Sequence, residues 1–184
     1  PPSPGGSNQA ATPTPTPTVT PTATVGVYPD GVSLNEFMPD PASDWNGDGV
    51  ADQNDEYVEL FNANDFEVDV SGWRLDDVDD GLRAAPDGSP PYALPPGTTV
   101  QARGFLLFFR SQTSLALNNE GDWVRLLRPD GVMVEAVEYS ASRDDQAHSK
   151  TLDGGSEWTR SYPPTPGGSN HPNGTPTPTP SPTP

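Results

Sequence analysis

Residues 122–139 read DWVRLLRPDGVMVEAVEY. Two runs of mainly apolar residues flank Pro129-Asp130-Gly131, in which proline suits the first turn position and glycine the position that needs a positive φ. The run at 132–139 alternates strictly, which is the period of a strand with two unlike faces. This stretch therefore predicts a β-hairpin, and it points to an antiparallel β fold.

Similar short runs lie on both sides of this hairpin, at 32–38, 57–61, 68–75 and 104–109. The last of these, GFLLFF, is apolar throughout and is expected to be buried on both faces or in a sandwich core. No amphipathic helix of ten or more residues is apparent. Seven or more short strands in roughly 130 residues predict an antiparallel β-sandwich. Its expected core or rim aromatics are Trp73, Phe105, Phe108, Trp123 and Trp158.

The composition divides the chain into two materials. All charged residues lie between Asp30 and Arg160, whereas most of the 25 prolines lie outside that range. The net charge of −17 argues against nucleic-acid binding, which needs Lys and Arg, and against docking on an anionic membrane. No apolar run approaches the roughly 18 residues of a membrane-spanning helix. The absence of cysteine excludes disulfide frameworks and thiolate zinc sites.

The proline-rich ends are predicted to be extended spacers. Residues 12–24 read TPTPTPTVTPTAT and residues 175–184 read TPTPTPSPTP. Proline fixes φ and keeps the preceding residue extended, so these tracts favour polyproline II. Alternating Thr-Pro is also typical of O-glycosylated stalks, and an unmodified disordered linker is the alternative. The predicted acceptors are Thr12, Thr14, Thr16, Thr18, Thr20, Thr22, Thr175, Thr177, Thr179, Ser181 and Thr183.

One short sequence occurs twice. Residues 1–8 read PPSPGGSN and residues 163–170 read PPTPGGSN, and a Thr/Pro tract follows each copy. Chance similarity is the alternative, but the pattern favours one period of a tandem array. The predicted organisation is the end of a preceding repeat (1–8), a linker (9–24), a β-sandwich (25–170) and a second linker (171–184).

The strongest chemical motif is DWNGDGVADQND at 44–55. Its carboxylate and amide oxygens are spaced as in a Ca²⁺ loop, with Gly49 at the sharp turn and Asp55 closing the loop. Glu56 is a substitute for Asp55 as the closing ligand. The predicted calcium ligands are Asp44, Asn46, Asp48, the Val50 carbonyl, Asp52, Asp55 and Glu56. An Asp/Asn/Gly-rich turn without metal is the alternative, which mutual repulsion of the carboxylates disfavours.

The other polar groups give weaker indications of function than the calcium motif. The acidic cluster at 76–81 lacks alternating ligand spacing, so a solvated loop is favoured over a second Ca²⁺ site. His148 is expected in a polar loop and His171 in the C-terminal tail. No cysteine and no nucleophile-elbow motif is present, so the sequence does not predict an enzyme.

The folded segment resembles the lamin tail domain family. The resemblance rests on motifs in order along the chain: Leu34-Asn35-Glu36, residues 56–62 (EYVELFN), 70–75 (VSGWRL), 94–98 (LPPGT), Gly104-Phe105-Leu106, Pro129-Asp130-Gly131, Trp158 and residues 165–170 (TPGGSN). It implies an immunoglobulin-like sandwich that serves, in bacteria and archaea, as a non-catalytic module of secreted and surface proteins. The calcium motif itself resembles the loops of dockerins and thrombospondin type-3 repeats.

Two functions follow as hypotheses. The first is a structural repeat of an extracellular fibre or cell-surface stalk, stabilised by Ca²⁺, whose partners are neighbouring copies of the same repeat. The second is a binding or adhesion module of a secreted or surface protein, such as a carbohydrate-binding appendage of a hydrolase. The second hypothesis predicts an exposed aromatic patch, with Trp45, Tyr92 and Tyr139 as its candidates.

Overall fold

A computed structural model describes residues 28–77 and 89–172. The segment at 1–8, the linker at 9–24 and the predicted glycosylation sites lie outside these ranges. Eleven strands are formed within them: β1 (Val32–Met38), β2 (Tyr57–Asn62), β3 (Val68–Asp69), β4 (Arg74–Asp76), β5 (Tyr92–Ala93), β6 (Thr99–Val100), β7 (Phe105–Phe109), β8 (Gly121–Leu127), β9 (Met133–Ser140), β10 (His148–Lys150) and β11 (Trp158–Thr159). A 3₁₀ turn (Gln53–Asp55) precedes β2, and a one-turn helix, α1 (Arg110–Thr113), follows β7.

The strands form an antiparallel sandwich of two main sheets. The five-stranded sheet has the order β11-β10-β1-β2-β7, and the four-stranded sheet has the order β5-β4-β8-β9. A separate two-stranded pair joins β3 to β6. The all-β, immunoglobulin-like prediction is therefore confirmed. No helix in the described residues is both long and apolar enough to cross a bilayer.

A bulge in β1 decides which side chains face the core. Leu34 pairs with Leu60, but the next pair is Glu36 with Glu59, so Asn35 is the extra residue. A bulge shifts the strand alternation by one residue. Leu34 and Phe37 therefore both join the core, and Glu36 emerges on the opposite face beside Glu59. This explains why 32–38 alternates only loosely in sequence.

Both faces of β7 are apolar because each covers a different cluster. Phe108 packs into the main core, whose other members include Leu60, Trp73 and Leu126. Phe109 belongs to a second, smaller cluster with Met38, Tyr57, Leu107 and Ala147. Residues 107–109 are therefore buried on both faces of β7, whereas 104–106 are half-buried, so the expectation of burial holds for the second half of the run. The outer face of the five-stranded sheet is therefore not simply a solvent face.

The predicted hairpin at 129–131 is confirmed. The Gly131 N–H donates to the Arg128 carbonyl at 2.9 Å, and Gly131 has a φ of 85°. The run at 68–75 is not one strand, because the chain turns between β3 and β4 at Gly72, whose φ is 73°. Its two halves therefore belong to different sheets.

The expectation of a solvated loop at 76–81 is wrong for its first two residues, and the expectation of His148 in a polar loop is wrong. Asp76 and Asp77 are buried, with Asp76 paired to Arg125 and both carboxylate oxygens of Asp77 accepting from the Ser89 N–H. The residues that follow, 78–88, lie outside the described ranges. His148 lies in β10, buried against Phe37 with ring centroids 4.6 Å apart. The sequence misleads here because short polar segments carry no periodicity to mark them as strands.

Candidate functional site

The predicted calcium loop connects β1 to β2 and is folded by its own side chains. The Asp44 carboxylate accepts from the Gly47 and Gly49 N–H groups, each at 2.8 Å. The Asn46 side-chain oxygen accepts from the Asp48 N–H at 2.8 Å. Such Asx turns mimic backbone turns, and glycine supplies the positive φ that they need. Gly47 and Gly49 have φ values of 78° and 91°.

Asp55 closes this loop, but it does so with backbone amides. It is buried, and its Oδ1 accepts from the N–H groups of Trp45 and Asn46, both at 2.8 Å. Its Oδ2 accepts from the Asp52 N–H at 2.9 Å. The residue predicted to close the loop therefore does close it, while its carboxylate is already held by three donors.

Glu56, the predicted substitute ligand, faces the interior of the domain. Its Oε1 accepts from the Arg110 guanidinium at 2.6 Å, and its Oε2 accepts from the Leu117 N–H at 2.7 Å. Burial raises the pKa of Glu56 to about 7, although these two donors lower it. Glu56 thus ties β2 to α1 and to the segment that follows it.

A second carboxylate holds the loop to the body of the domain. Asp145, between β9 and β10, accepts from the N–H groups of Ala42 and Ser43 and from the Trp45 indole at 2.7 Å. Burial raises the pKa of Asp145, but the hydrogen bonds from Ser43 and Trp45 outweigh it, and the pKa lies below its usual value. The loop is therefore anchored at its start by a residue about a hundred positions away.

The donor set of the loop fits a hard cation. Asp44, Asn46, Asp48 and Asp52 offer carboxylate or amide oxygens, the ligands that Ca²⁺ prefers. Asp48 and the Val50 carbonyl lie at the exposed rim. In the described part of the chain, no three His, Cys, Asp or Glu side chains lie close enough together to hold one metal ion. The loop thus offers the ligand types that Ca²⁺ prefers, but its carboxylates are not gathered around one point.

A second polar site lies on the outer face of the five-stranded sheet. Glu36 and Glu59, here called the carboxylate pair, are directly opposite each other on β1 and β2, and both are fully buried. Tyr57 donates its hydroxyl to Glu36, and Ser149 donates to the same carboxylate at 2.7 Å. The Asn35 amide donates to Glu59 at 2.9 Å. Two buried like charges at adjacent strand positions require such donors.

The remaining donors come from residues 163–170, here called the closing segment. The Thr165 N–H and hydroxyl reach the two oxygens of Glu36 at 2.8 and 3.0 Å. The Gly167 N–H donates to Glu59 at 2.6 Å, from a residue with a φ of 80°. The Asn170 amide donates to the Asn35 carbonyl at 3.0 Å. The segment that ends the described domain therefore lies across its first two strands.

Asp153 completes this contact from the side. Its Oδ1 accepts from the Asn170 N–H at 3.0 Å and from the Asn35 amide at 3.1 Å. Its Oδ2 accepts from the Ser169 hydroxyl. The three polar motifs at 34–36, 57–59 and 165–170 are thus parts of one hydrogen-bonded unit, although more than a hundred residues separate the first from the last.

Burial governs the ionisation of the carboxylate pair. It raises the pKa of Glu36, against the hydrogen bonds from Tyr57, Thr165 and Ser149. It raises the pKa of Glu59 well above the usual value, and the charge of Glu36 adds to this effect. The hydrogen bonds from Asn35 and Gly167 act in the opposite direction. Both members of the pair therefore keep a proton to a higher pH than a free glutamate does, and the pKa of Glu59 is raised the more strongly.

Sequence reasoning missed the carboxylate pair. Glu36 and Glu59 look like the polar residues of half-exposed strands, and only the bulge at Asn35 places them side by side. A clue was available in the duplicated PPxPGGSN sequence, because an uncharged Gly-Ser-Asn turn is rich in donors for carboxylates. Nothing local in the sequence connects that turn to these two glutamates.

The expected exposed aromatic patch is not formed. Trp45 is half-buried with its indole N–H on Asp145, Tyr92 is half-buried against Phe108, and Tyr139 is buried. A groove of about 330 Å³ instead runs between β9 and β11, with Trp158 and Arg160 among the residues that line it. His148 also lines it, and its Nε2 has no hydrogen-bond partner among the described residues.

The raised pKa of Glu59 gives the first testable prediction. The folded protein binds this proton more tightly than the unfolded chain does. The contribution of Glu59 to the free energy of unfolding is therefore fully present at or below pH 4.5 and is lost as the pH rises. Replacing Glu59 with Gln removes this titration and flattens the decline by up to about 1.4 kcal/mol per pH unit. Urea unfolding of both proteins between pH 4.5 and 8 measures the difference.

The matched control is Glu138→Gln, because Glu138 is exposed on β9. This variant should follow the pH dependence of the unaltered chain, since it leaves the buried carboxylates in place. Curves for Glu59→Gln and the unaltered chain that stay parallel over the whole range would contradict the assignment.

Comparison with known families agrees with the architecture. A family model described as Lamin Tail Domain matches residues 28–141, more than half of the chain. No curated protein matches the chain. The matched range includes the calcium-type loop, β1 and β2, and it ends before β10, β11 and the closing segment. These later elements complete the five-stranded sheet and cover its outer face. The chain belongs to the lamin tail domain family.

Proposed function

We propose that the chain is one repeat of a tandem array, extracellular or on a prokaryotic cell surface, in which lamin tail domains alternate with Thr/Pro-rich linkers. One observation carries this proposal. The closing segment is the part of the domain that covers its carboxylate pair, and the same sequence, with one substitution, recurs at 1–8, ahead of the first linker. A segment with this role at the end of one domain is expected at the end of the domain before it.

The rest of the chain suits a structural role. The family is an immunoglobulin-like module rather than a catalytic fold, and we propose that this member is not an enzyme. His148, the one histidine within the sandwich, is buried, and burial together with the charge of Arg160 lowers its pKa to about 4. It is therefore neutral near pH 7 and a poor general base there. The linkers carry no charged residue, which suits a spacer more than a binding surface.

Imaging of the native protein tests the array. The linker at 9–24 spans roughly 50 Å at about 3.1 Å per residue in polyproline II. Rotary-shadowed electron microscopy should therefore show globular beads separated by regular gaps of about that length. An antibody to the folded domain should label successive beads. Native molecules that carry a single labelled bead would contradict the proposal.

We also propose that the loop at 44–55 binds Ca²⁺. The support is the donor set and the fold of the loop, in which Asx turns hold the ligand-type side chains of Asp44 and Asn46. We expect Asp44, Asn46, Asp48, Asp52 and the Val50 carbonyl to hold the ion. Asp55 already accepts three amide hydrogen bonds, so its expected contribution is to fix the loop. A bound ion would stiffen the junction between β1 and β2.

Calcium should raise the unfolding temperature. A ligand that binds only the folded state adds about 2.7 kcal/mol at a concentration a hundredfold above its dissociation constant. Calorimetric scans with excess Ca²⁺ and with a chelator should therefore differ by several degrees. Asp48→Ala should abolish most of this difference in unfolding temperature, because it removes one of the expected ligands. Asp48 lies exposed at the rim of the loop, so the change leaves the packed interior in place. Glu138→Ala, which removes an exposed charge elsewhere, should retain the difference. Identical scans with and without Ca²⁺ would refute the proposal.

Glycosylation of the linkers is part of the same proposal. Thr-Pro alternation exposes each hydroxyl on an extended chain, which suits O-linked sugars. Such sugars would further stiffen the spacers between domains. Native material should then have a mass above that of its polypeptide, with the excess confined to peptides from the two linkers.

The groove between β9 and β11 favours a second candidate function, a binding module. Trp158 offers a half-buried aromatic face, and the exposed Arg160 offers polar contacts. Aromatic faces with a few polar groups are typical of carbohydrate sites. The charge of −17 disfavours acidic ligands, so we propose neutral oligosaccharides as the ligand class.

Tryptophan fluorescence tests this candidate. Titration with cellohexaose or xylohexaose should shift the emission of the unaltered chain. Trp158→Ala should abolish the response, whereas Trp123→Ala, a change on a strand of the four-stranded sheet that does not line the groove, should keep it. No saturable response to either sugar would argue against this candidate.

A further inference from the structure

The surface beneath the closing segment is formed by other parts of the domain. Glu36 and Asn35 belong to β1, Glu59 belongs to β2, and Asp153 lies between β10 and β11. These four residues, here called the socket, supply the acceptors for the closing segment. None of the four socket residues belongs to the closing segment. A second peptide with the same donors can therefore fill the socket without a change in the sheet.

Residues 1–8 carry those donors one by one. Gly5 corresponds to Gly167, whose N–H donates to Glu59 from a positive φ. Ser7 and Asn8 correspond to Ser169 and Asn170, which contact Asp153 and Asn35. This correspondence follows from the aligned sequences of 1–8 and 163–170.

The single difference between the two copies preserves the chemistry. Ser3 stands where the closing segment has Thr165. The Thr165 hydroxyl donates to Glu36 at 3.0 Å, and a serine hydroxyl can make the same bond. The substitution removes only a methyl group.

Charge also permits the exchange. The socket contains three carboxylates, and residues 1–8 include no acidic side chain that would be repelled. Their backbone N–H groups, hydroxyls and amides are neutral donors, which suit carboxylates that share a buried site. A segment with an Asp or Glu would lack this match.

We propose that residues 1–8 act as a second closing segment, which binds the socket of a second copy of this domain in place of that copy's own residues 163–170. The exchange would connect neighbouring copies without a covalent bond. The inference deepens the proposed array, in which each closing segment ordinarily covers its own domain.

A peptide experiment tests the exchange. The full chain with Thr165→Val and Asn170→Leu loses side-chain donors of its own closing segment, and Ser3→Ala with Asn8→Ala disables its own N-terminal copy. A fluorescent peptide PPSPGGSN should bind this quadruple variant, as measured by polarisation. It should bind the unaltered chain at least tenfold more weakly, because that socket is filled. The control peptide PPAPGGSA, which lacks two side-chain donors, should also bind the variant at least tenfold more weakly.

The variant must be folded for the test to count, and circular dichroism establishes this. A folded variant that binds neither peptide at millimolar concentration overturns the proposal. Equal binding of both peptides overturns it as well, since the match of side-chain donors would then be irrelevant.

A cysteine pair provides a second test, in which the residues of the closing segment itself are left unaltered. The chain has no cysteine, so a disulfide can form only between introduced residues. A chain with Ser7→Cys is mixed with a chain carrying Asp153→Cys, because Ser7 corresponds to Ser169, which contacts Asp153. A mixed disulfide dimer is expected in a glutathione buffer. Thr12→Cys, outside the repeated sequence, is the matched control. Equal trapping by Thr12→Cys, or none by Ser7→Cys, contradicts the exchange.

These results are separable from the test of the array. Native molecules with a single bead would refute the array while leaving peptide binding to the socket intact. Native arrays whose domains reject the peptide would refute the exchange alone.

Discussion

Two glutamates buried side by side place the strongest constraint on this fold. Glu36 and Glu59 face each other across β1 and β2 with no exposed surface. Charges at this spacing repel each other, and burial removes the water that would stabilise them. The sheet can keep them only because hydroxyl, amide and backbone donors surround both groups. The last of these donors belong to Thr165 and Gly167. The fold is therefore complete only when the closing segment has packed against β1 and β2.

The same chemistry recurs at the other end of the five-stranded sheet. Asp55 accepts three backbone amides within the loop, and Asp145 holds the start of that loop to the segment before β10. Glu56 binds Arg110 and the Leu117 N–H. Several of the acidic residues behind the charge of −17 are thus internal acceptors rather than a solvated surface. They hold the chain where regular strand pairing is absent, and Asp145 and Glu56 join segments that are distant in sequence.

This arrangement explains how a domain with several very short strands keeps one defined fold. Backbone pairing in β3, β5, β6 and β11 involves two residues in each strand, so these elements add little stability by themselves. The apolar core around Trp73 and Leu60 supplies the general driving force, since buried apolar area is the main favourable term in folding. The buried carboxylates specify which loops lie on it. A closing segment held by specific donors also gives the described domain a defined end point.

The sequence by itself determined the fold class, the hairpin at 129–131, the burial of the second half of the run at 104–109 and the family, because these depend on local periodicity and on turn residues. It also marked 163–170 as special, through the repeat at 1–8. It could not place Glu36 beside Glu59, since a one-residue bulge at Asn35 reverses the expected faces and a bulge has no periodic signature. Nor could it show that Asp55 and Glu56 accept internal hydrogen bonds, or that His148 lies in a buried strand. Tertiary structure decided these points, because a carboxylate or imidazole takes its role from the donors that folding brings within about 3 Å of it.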